Sequence, residues 1–236
     1  NPFAWPAGDM FVGFENYVNG LTTSGFFMAF LRSAFISVFS VLLIIVCTSM
    51  TAWYLVRVKN RLTKVLYYVF VFSMIVPFQM VMYTMTFMVT SLYFDNVFGI
   101  VLVYLGFGAG LSVFMFSGFV KGVPVEVEEA ATIDGCTPLQ TFFMIVLPML
   151  KPTAITVAIL NAMWVWNDYL LPYLILGSDH KTVPVAIQLA MQGAYGSTDY
   201  GGFMAMLVLS IIPIVIFYIS SQKYIIKGVI AGAVKG

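Results

Sequence analysis

Long apolar runs without charged residues alternate with short polar stretches along the whole chain. The runs comprise residues 33–56, 65–94, 96–120, 152–167 with a continuation past Asp168 to about Leu176, and 200–222. A helix needs roughly 20 residues to cross a hydrocarbon core about 30 Å thick, and each run reaches that length once the continuation is counted. Because the runs are solidly apolar and do not alternate in polarity, they predict helices and not barrel strands. The pattern therefore predicts an all-α, polytopic membrane protein with five spanning helices.

The amino-acid composition agrees with this prediction. Hydrophobic residues fill 61% of the 236 positions and charged residues 9%, whereas ordinary soluble domains carry about 25% charged residues. The mean hydropathy is +0.97. Residues 16–31 are also free of charge, but several Asn, Thr, Ser and Gly residues precede their apolar end. We interpret this stretch as an interfacial segment and not as a span.

Basic residues lie almost entirely on one side of the predicted spans, which sets the orientation. Nine of the eleven share that side: Arg57, Lys59, Arg61, Lys64, Lys121, Lys151, Lys223, Lys227 and Lys235. Since cytoplasmic loops carry an excess of Lys and Arg, we predict a multi-pass protein of the cell membrane with the start of this chain outside and its C-terminus cytoplasmic. An outside start with neither an initiator Met nor a signal peptide leads us to expect a further membrane helix upstream of Asn1, which would raise the count to six.

The polar segment between the third and fourth spans, residues 121–152, carries strong helix start and stop signals. Pro124 suits the first turn of a helix, and Glu126, Glu128 and Glu129 favour its positive N-terminal end. Gly135 provides a left-handed stop for this first short helix. Such a segment between spans indicates a site that another protein binds.

A second short helix is predicted directly after Gly135. Thr137 and Gln140 have the spacing of a capping box, and Pro138 fits the first helical position. Pro148 is expected to close this helix, since proline lacks the N–H that a helix interior needs. The segment therefore predicts two helices hinged at Gly135, on the cytoplasmic side.

The sequence offers no pattern for catalysis, metal binding or nucleotide binding. Cys47 lies within a predicted span and Cys136 in the polar segment, so they do not readily pair, and His180 has no Cys or His neighbour. Neither a phosphate-binding Gly-x-x-x-x-Gly-Lys-Ser/Thr loop nor a Gly-x-Ser-x-Gly nucleophile turn is present. We expect no catalytic residue, no metal and no cofactor on this chain, and no nucleic-acid partner.

Several stretches resemble one protein family. Glu-Ala-Ala-Thr-Ile-Asp-Gly at 129–135, followed by Ile-Val-Leu-Pro at 145–148, resembles the EAA loop of ABC-importer permeases. Residues 166–172 and 222–236 resemble the carbohydrate-uptake class of these permeases, particularly the maltose-type second permease. Gly-Phe-Glu-Asn-Tyr at 13–17 is similar to an Asn-Tyr pattern of the same class. The resemblance implies the type I ABC importer permease fold.

This resemblance also implies a function in transport. The chain would be a membrane-spanning permease subunit of an ATP-driven importer that moves a mono- or oligosaccharide into the cell by alternating access. Its implied partners are a second permease in a heterodimer, two ATPase subunits that carry ATP and Mg²⁺, an extracytoplasmic solute-binding protein and the lipid bilayer. In this scheme residues 1–236 form a single transmembrane permease domain, residues 121–152 are the coupling segment, and residues 177–202 are the outer segment on which the binding protein lands.

The resemblance places the ATPase-coupling residues in the coupling segment. They are Glu129, Ala130, Ala131, Asp134, Gly135, Leu147 and Pro148. Their small residues would present a low surface to a partner's backbone, and their two carboxylates would meet a partner's Arg or Lys at the rim. The Leu-Pro pair would join the second short helix rigidly to the span that follows.

Polar and aromatic residues within the spans are candidates for the substrate path. They are Tyr83, Asn161, Trp166, Asn167, Asp168 and Tyr169. Asp168 is the one formal charge inside an otherwise apolar span, where an unpaired charge costs several kcal/mol. It therefore either caps a helix end near Pro172 or contacts substrate or binding protein. The aromatic residues around it equally suit anchors at the membrane interface.

Three alternatives stay open at this point. A permease with the same core would carry a polyol or glycerol phosphate, although a phosphate calls for a basic cavity and only Arg32 approaches the outer side. A secondary transporter would need internal repeats and intramembrane carboxylates in the core, of which only Asp168 qualifies. A scaffold subunit without a transport path is the third, and the polar groups within the spans argue only mildly against it.

Overall fold

The computed structural model describes residues 12–23, 25–192 and 200–233. These residues contain twelve α-helices and one π-helical turn. The helices are α1 Glu15–Thr23, α2 Phe26–Arg57, α3 Arg61–Ser73, α4 Phe78–Ser91, α5 Val97–Val120, α6 Val125–Ile133, α7 Pro138–Thr141, α8 Leu147–Met149, α9 Lys151–Asn167, α10 Leu170–Leu176, α11 Val183–Met191 and α12 Tyr200–Ala233. Of residues 223–233 only the helical backbone is described. Positions 193–199 of the outer segment, the last residues of the 222–236 resemblance and the expected upstream helix lie outside the described residues.

The core of the molecule forms where α2, α5 and α9 pack side by side. Ile44, Phe116 and Val157, one from each helix, are all fully buried there. The helices approach most closely at Gly108, where an added Cβ would lie 2.6 Å from Ile44 Cδ1 and 2.8 Å from Asn161 Oδ1. Small residues at such contacts are the usual means by which helices pack inside a membrane. These three helices share the buried cluster at the centre of the molecule.

The spanning helices agree in number with the sequence prediction. Within the described residues, α2, α5 and α12 are each long and apolar enough to cross a membrane. The number rises to five if two bent helix pairs, Arg61–Ser73 with Phe78–Ser91 and Pro138–Met149 with Lys151–Asn167, each cross as one span. The predicted all-α membrane fold is confirmed.

The charge-free stretch 16–31 is divided between two helices. Its first part belongs to the nine-residue α1, and its last part extends α2, which begins at Phe26 and not at residue 33. Gly25 separates them with a φ of 65°, a backbone angle that favours glycine. α1 packs closely against the start of α12. An added Cβ at Gly20 would lie only 3.2 Å from the Gly202 carbonyl oxygen.

The second predicted span, residues 65–94, is not one continuous helix. It is divided into α3 and α4, which meet at an angle of 106°. The break precedes Pro77, which has an extended ψ of 136° at the start of α4. Proline cannot donate the N–H that would continue α3, and it disfavours helical geometry at the residue before it. Counting charged residues alone does not detect this break, because proline is uncharged.

The fourth span is also broken, close to the charged residue. α9 ends at Asn167, the backbone extends at Asp168 with a ψ of 124°, and α10 then begins at Leu170. The sequence placed the interruption near Pro172, but this proline lies in the first turn of α10 and is buried. A proline is tolerated in a first turn because the N–H groups there have no partner within the helix.

Candidate functional site

The first helix of the coupling segment, α6, ends as the sequence predicts. Gly135 has a φ of 85°, and its N–H donates to the Thr132 carbonyl oxygen at 3.1 Å. The Cys136 N–H donates to the Ala131 carbonyl oxygen at 2.9 Å. This pair of hydrogen bonds is a Schellman motif, in which a left-handed glycine satisfies carbonyl groups that the helix end leaves open. The predicted hinge at Gly135 is confirmed.

The second helix begins as predicted and ends one residue after the expected position. Thr137 and Gln140 form the capping box, with the Thr137 N–H donating to Gln140 Oε1 at 2.8 Å. The helix ends at Met149, directly after Pro148, and the chain bends by 77° before α9. A π-helical turn, Phe142–Val146, comes just before the proline and lets the chain accommodate it, because the Leu147 N–H bonds back five residues instead of four.

The predicted coupling residues of α6 do not all share one surface. Glu129, Ala130, Asp134 and Gly135 are exposed. Ala131 was expected on the same surface, but it is 4% exposed and faces the protein. A helix turns by 100° per residue, so neighbouring residues in sequence lie on different faces and a motif of adjacent residues divides between them.

Glu128 is the buried acidic residue of α6, and sequence reasoning assigned it only to the helix start. Its carboxylate accepts hydrogen bonds from Arg57 Nη2 at 2.7 Å, from Arg57 Nε at 3.0 Å and from Trp53 Nε1 at 2.9 Å. The two donors lie one turn apart at the end of α2. Arg57 also donates to the Val123 carbonyl oxygen at 2.8 Å, which holds the turn before α6. The Arg57–Glu128 ion pair thus attaches one face of α6 to a spanning helix.

Beyond α6, the coupling segment is built into the core. Phe142 and Val146 are fully buried and Leu150 is 1% exposed, all within the cluster that α2, α5 and α9 form. Trp53 packs on Phe142 with ring centroids 5.5 Å apart. Pro148 itself is exposed and Leu147 is half-buried. The segment therefore has one attached face, made by the Arg57–Glu128 ion pair and the Phe142 side chain, and one free face on α6.

Asp168 lies where the chain passes from α9 to α10 and is hydrogen-bonded on both oxygens. Its Oδ1 accepts from the Leu170 N–H at 3.1 Å and from the Leu171 N–H at 3.4 Å. Tyr104, a fully buried residue of α5, donates its hydroxyl to Oδ2 at 3.1 Å. The carboxylate therefore caps α10 and joins it to the core.

The other candidates for the substrate path do not converge on one cavity. Asn161 is 5% exposed and donates to Ser112 Oγ at 3.2 Å, so it holds α9 to α5. Trp166 donates to the Ser210 carbonyl oxygen at 3.3 Å. Asn167 is exposed near the end of α9, whereas Tyr83 is 76% exposed on α4, a different element.

The helix break separates Trp166 from Tyr169, although their spacing of three residues would place them on one face of a continuous helix. Trp166 precedes the break and packs edge-on against Phe30 at 5.5 Å. Tyr169 follows it and stacks on Tyr173 with centroids 5.4 Å apart. The helical spacing argument fails here because the backbone is extended at Asp168. Within the described residues, no group of three or more His, Cys, Asp and Glu side chains is placed to hold a metal ion.

These features define a class of protein before any comparison. Several apolar spans, two of them bent, accompany a polar helical segment that has one face attached to α2 and one face exposed. Residues 44–231 match the model of the family described as binding-protein-dependent transport system inner membrane component, and the chain belongs to this family. It is an inner-membrane, multi-pass permease and not a catalytic enzyme.

Curated relatives cover nearly the whole chain. The probable starch degradation products transport system permease protein AmyC of Thermoanaerobacterium thermosulfurigenes is 40% identical over 94% of this chain and 80% of its own length. The multiple sugar-binding transport system permease protein MsmG of Streptococcus mutans is 37% identical over 87% and 76%, respectively. The melibiose/raffinose/stachyose import permease protein MelC of Bacillus subtilis is 32% identical over 95% and 82%.

A solved structure shares the fold. The crystal structure of a bacterial ABC transporter involved in the import of the acidic polysaccharide alginate contains a chain that matches with a TM-score of 0.75. The match has 24% sequence identity and covers 89% of this chain and 79% of that one. The predicted ABC importer permease fold is therefore confirmed.

Proposed function

We propose that this protein is a permease subunit of an ATP-driven importer that moves a mono- or oligosaccharide into the cell by alternating access. The observation that carries the proposal is the coupling segment, whose α6 is attached to α2 through Glu128 and leaves its opposite face free. The names of the three relatives concern starch degradation products, multiple sugars and melibiose, raffinose or stachyose. They support a sugar as the substrate of this chain.

The free face of α6 suits an ATPase subunit as its partner. Glu129 and Asp134 provide exposed carboxylates for Arg or Lys residues of that partner. Ile133 is 86% exposed and adds an apolar contact, and Ala130 and Gly135 leave room for a close backbone approach. ATP and Mg²⁺ belong to the two ATPase subunits in this proposal. Ala131 has a different task, since its buried side chain packs α6 onto the protein.

Movement of α6 would reach the spans by two routes. One is the Arg57–Glu128 ion pair, which joins α6 directly to α2. The other passes through the buried Phe142 and Val146 and the Leu147–Pro148 pair into α9. Because packed cores do not deform continuously, a shift of α6 is passed on as a rigid movement of these helices.

A second permease would pack against α3 and α4, the bent second span. In α4 only Val89 is buried, while Met80 and Tyr83 are each 76% exposed and Phe87 is 73% exposed. A bent apolar element with so little burial inside its own chain gains most from a neighbouring subunit. We propose a heterodimer in which Tyr83 faces the boundary between the two permeases, where a sugar would pass.

The break between α9 and α10 is the proposed wall of the substrate path. Sugars are bound by hydrogen bonds and by aromatic faces, and the stacked Tyr169 and Tyr173 supply an aromatic face close to Asn167. The Asn167 amide nitrogen already donates to the Met163 carbonyl oxygen at 2.7 Å, so its exposed side chain offers a sugar mainly its amide oxygen. Asp168 positions this break by capping α10. We assign Asn161 and Trp166 to the support of the path, since their polar atoms bond within the chain.

The proposed orientation puts the coupling segment in the cytoplasm and residues 177–202 outside, where the solute-binding protein lands. The distribution of Lys and Arg supports it. Arg32 lies on the proposed outer side and donates to the Lys181 carbonyl oxygen at 2.7 Å, which ties α2 to the outer segment.

Reconstitution tests the proposal. The complex of this chain with a second permease, two ATPase subunits and the binding protein is placed in liposomes, and sugar uptake is measured together with ATP hydrolysis. Glu129→Lys on the free face of α6 should abolish uptake that depends on hydrolysis. Glu126→Lys is the matched control, because Glu126 is an exposed acid of the same helix outside the motif. Unchanged coupling in both Glu129→Lys and Gly135→Pro would show that α6 is not the coupling helix.

A further inference from the structure

A cavity of about 850 Å³ lies where α2 ends and α3 begins, and the first residues of the coupling segment, Lys121 and Val125, form part of its wall. We call it the basic pocket. Five cations line it: Arg57, Lys59, Arg61, Lys64 and Lys121. No Asp or Glu is among the described residues of its lining. The cations come from the end of α2, the loop after it, the first turn of α3 and the end of α5, so elements distant in sequence converge here.

Most of this positive charge is uncompensated. Arg57 is paired with Glu128. Lys59, Arg61, Lys64 and Lys121 are exposed, and within the described part of the chain no carboxylate forms an ion pair with them. An excess of Lys and Arg on one side of a membrane follows from topology alone. Their arrangement around one concavity does not follow from topology, and it makes a favourable place for an anion.

A buried hydroxyl supplies independent support for a ligand. Ser117 of α5 lines the basic pocket and is 1% exposed, and its Oγ has no hydrogen-bond partner in the structure. Buried polar groups are normally bonded, because an unsatisfied one loses its interaction with water and gains nothing in return. An anionic oxygen in the pocket would accept the hydrogen bond that this hydroxyl is able to donate.

The position of the pocket favours a lipid over a soluble anion. It lies at the ends of two helices of the membrane region, and apolar side chains adjoin its cations. Leu55 and Val56 are part of its wall, and Leu62 and Val65 on the first turns of α3 are 64% and 58% exposed. A ligand with a phosphate group and an apolar body matches both surfaces at once.

We propose that the basic pocket binds the phosphate headgroup of an anionic phospholipid. That this lipid belongs to the inner leaflet rests on the orientation in the proposed function. Lys59, Arg61, Lys64 and Lys121 surround the phosphate, Ser117 donates to one of its oxygens, and the acyl chains follow the exposed side of α3. The bound lipid joins the loop between α2 and α3 to Lys121, the first residue of the coupling segment.

The test counts lipids on the assembled complex. The full complex is placed in nanodiscs of phosphatidylcholine and phosphatidylglycerol in equal amounts, released into detergent, and examined by native mass spectrometry for retained phosphatidylglycerol. Lys64→Gln and Lys121→Gln should each weaken retention about fivefold, as expected for one basic residue near an anionic headgroup. Lys151→Gln is the charge-matched control, because Lys151 is exposed and outside the pocket lining. Ser117→Ala changes no charge and should weaken retention by a similar factor.

Three results would overturn the assignment. Equal retention in wild type, Lys64→Gln and Lys121→Gln would remove the pocket as the lipid site. Displacement of phosphatidylglycerol by inorganic phosphate would identify a soluble anion as the ligand. Loss of the ATPase subunits from the pocket variants with unchanged lipid retention would identify a protein interface. The count needs neither ATP nor sugar, so it is independent of whether the transport proposal succeeds.

Discussion

Removing the Glu128 carboxylate should detach α6 from α2 while leaving the free face of α6 chemically intact. Glu128→Ala deletes the acceptor of three hydrogen bonds, two from Arg57 and one from Trp53. The guanidinium of Arg57 then keeps only its bond to the Val123 carbonyl oxygen. The variant therefore separates attachment of the coupling helix from recognition by its partner.

The expected cost follows from the burial of the pair. Breaking a buried ion pair by removing one partner costs about 3–5 kcal/mol. The side chains of Arg57 and Glu128 are 19% and 11% exposed, so some water reaches them and the lower end, about 3 kcal/mol, applies. This energy raises the ratio of detached to attached α6 by about a hundredfold. Glu128→Gln keeps an acceptor but loses the charge, and should cost about half as much.

The assay measures sugar uptake and ATP hydrolysis together in liposomes that contain the assembled complex. Glu128→Ala should lower uptake per ATP hydrolysed several-fold, and Glu128→Gln should lie between it and wild type. Glu126→Ala is the control, since Glu126 is an exposed acid two residues earlier on the same helix. A double-mutant cycle with Arg57→Ala isolates the interaction, because the second substitution should add little once the first is made.

Two results would refute this reasoning. One is wild-type uptake per ATP in Glu128→Ala. The other is additive loss of stability in the cycle, which would mean that Arg57 and Glu128 act separately despite a separation of 2.7 Å. Thermal unfolding of each variant shows whether the complex remains assembled while uptake is measured.

Four further substitutions test other parts of the structure. Gly135→Ala and Gly177→Ala both put a side chain at a positive φ, 85° and 64° respectively. Each variant should lose about 1 kcal/mol or more of stability. Only Gly135→Ala should reduce sugar uptake per ATP hydrolysed. Gly108→Ala places a Cβ 2.6 Å from a core side chain and should lower stability by about 1–3 kcal/mol, read from thermal unfolding of the complex. Tyr104→Phe removes the hydroxyl that donates to Asp168 and should cost about 1.5–3 kcal/mol of stability without changing the KM for sugar.

Each of these changes has a control or a contradicting result. Gly106→Ala matches Gly108→Ala, because a Cβ at Gly106 meets no atom within 4 Å and should be neutral or slightly stabilising. Equal uptake per ATP in the two positive-φ variants would remove the hinge from the coupling route. A large rise in KM with unchanged stability in Tyr104→Phe would mean that Asp168 acts on substrate and not as a cap.

Local sequence signals predicted the local structure well. The stop at Gly135 and the capping box at Thr137 both depend on residues within a few positions of one another, so a short sequence contains the whole cause. Pro77 shows that prolines must be considered together with charges when spanning helices are predicted. Counting charges predicted one span over 65–94, although the proline that divides it was present in the sequence. The sequence therefore contained the signal for this break.

Features that depend on how the helices pack could not be predicted from the sequence. Glu128 bonds with Arg57 across 71 positions, and nothing near either residue distinguishes it from Glu126 or Glu129. Ala131 belongs to the recognised motif, yet its inward direction depends on which side of α6 meets α2. For the same reason the sequence did not reveal that α5 and α12 supply the hydrogen-bond partners of Asn161 and Trp166. Only the assembled helices determine these directions.

The Arg57–Glu128 ion pair also has a consequence for biosynthesis. Glu128 is synthesised 71 residues after Arg57, which at about 5–20 residues per second is an interval of roughly 4–14 seconds. During that interval Arg57 is an unpaired cation at the end of α2, the state in which a basic residue holds a new helix in its proposed orientation. Once α5 has entered the membrane and α6 follows, the same guanidinium gains its carboxylate. In the proposed orientation and coupling route, this one side chain would first orient the nascent protein and then attach its coupling helix.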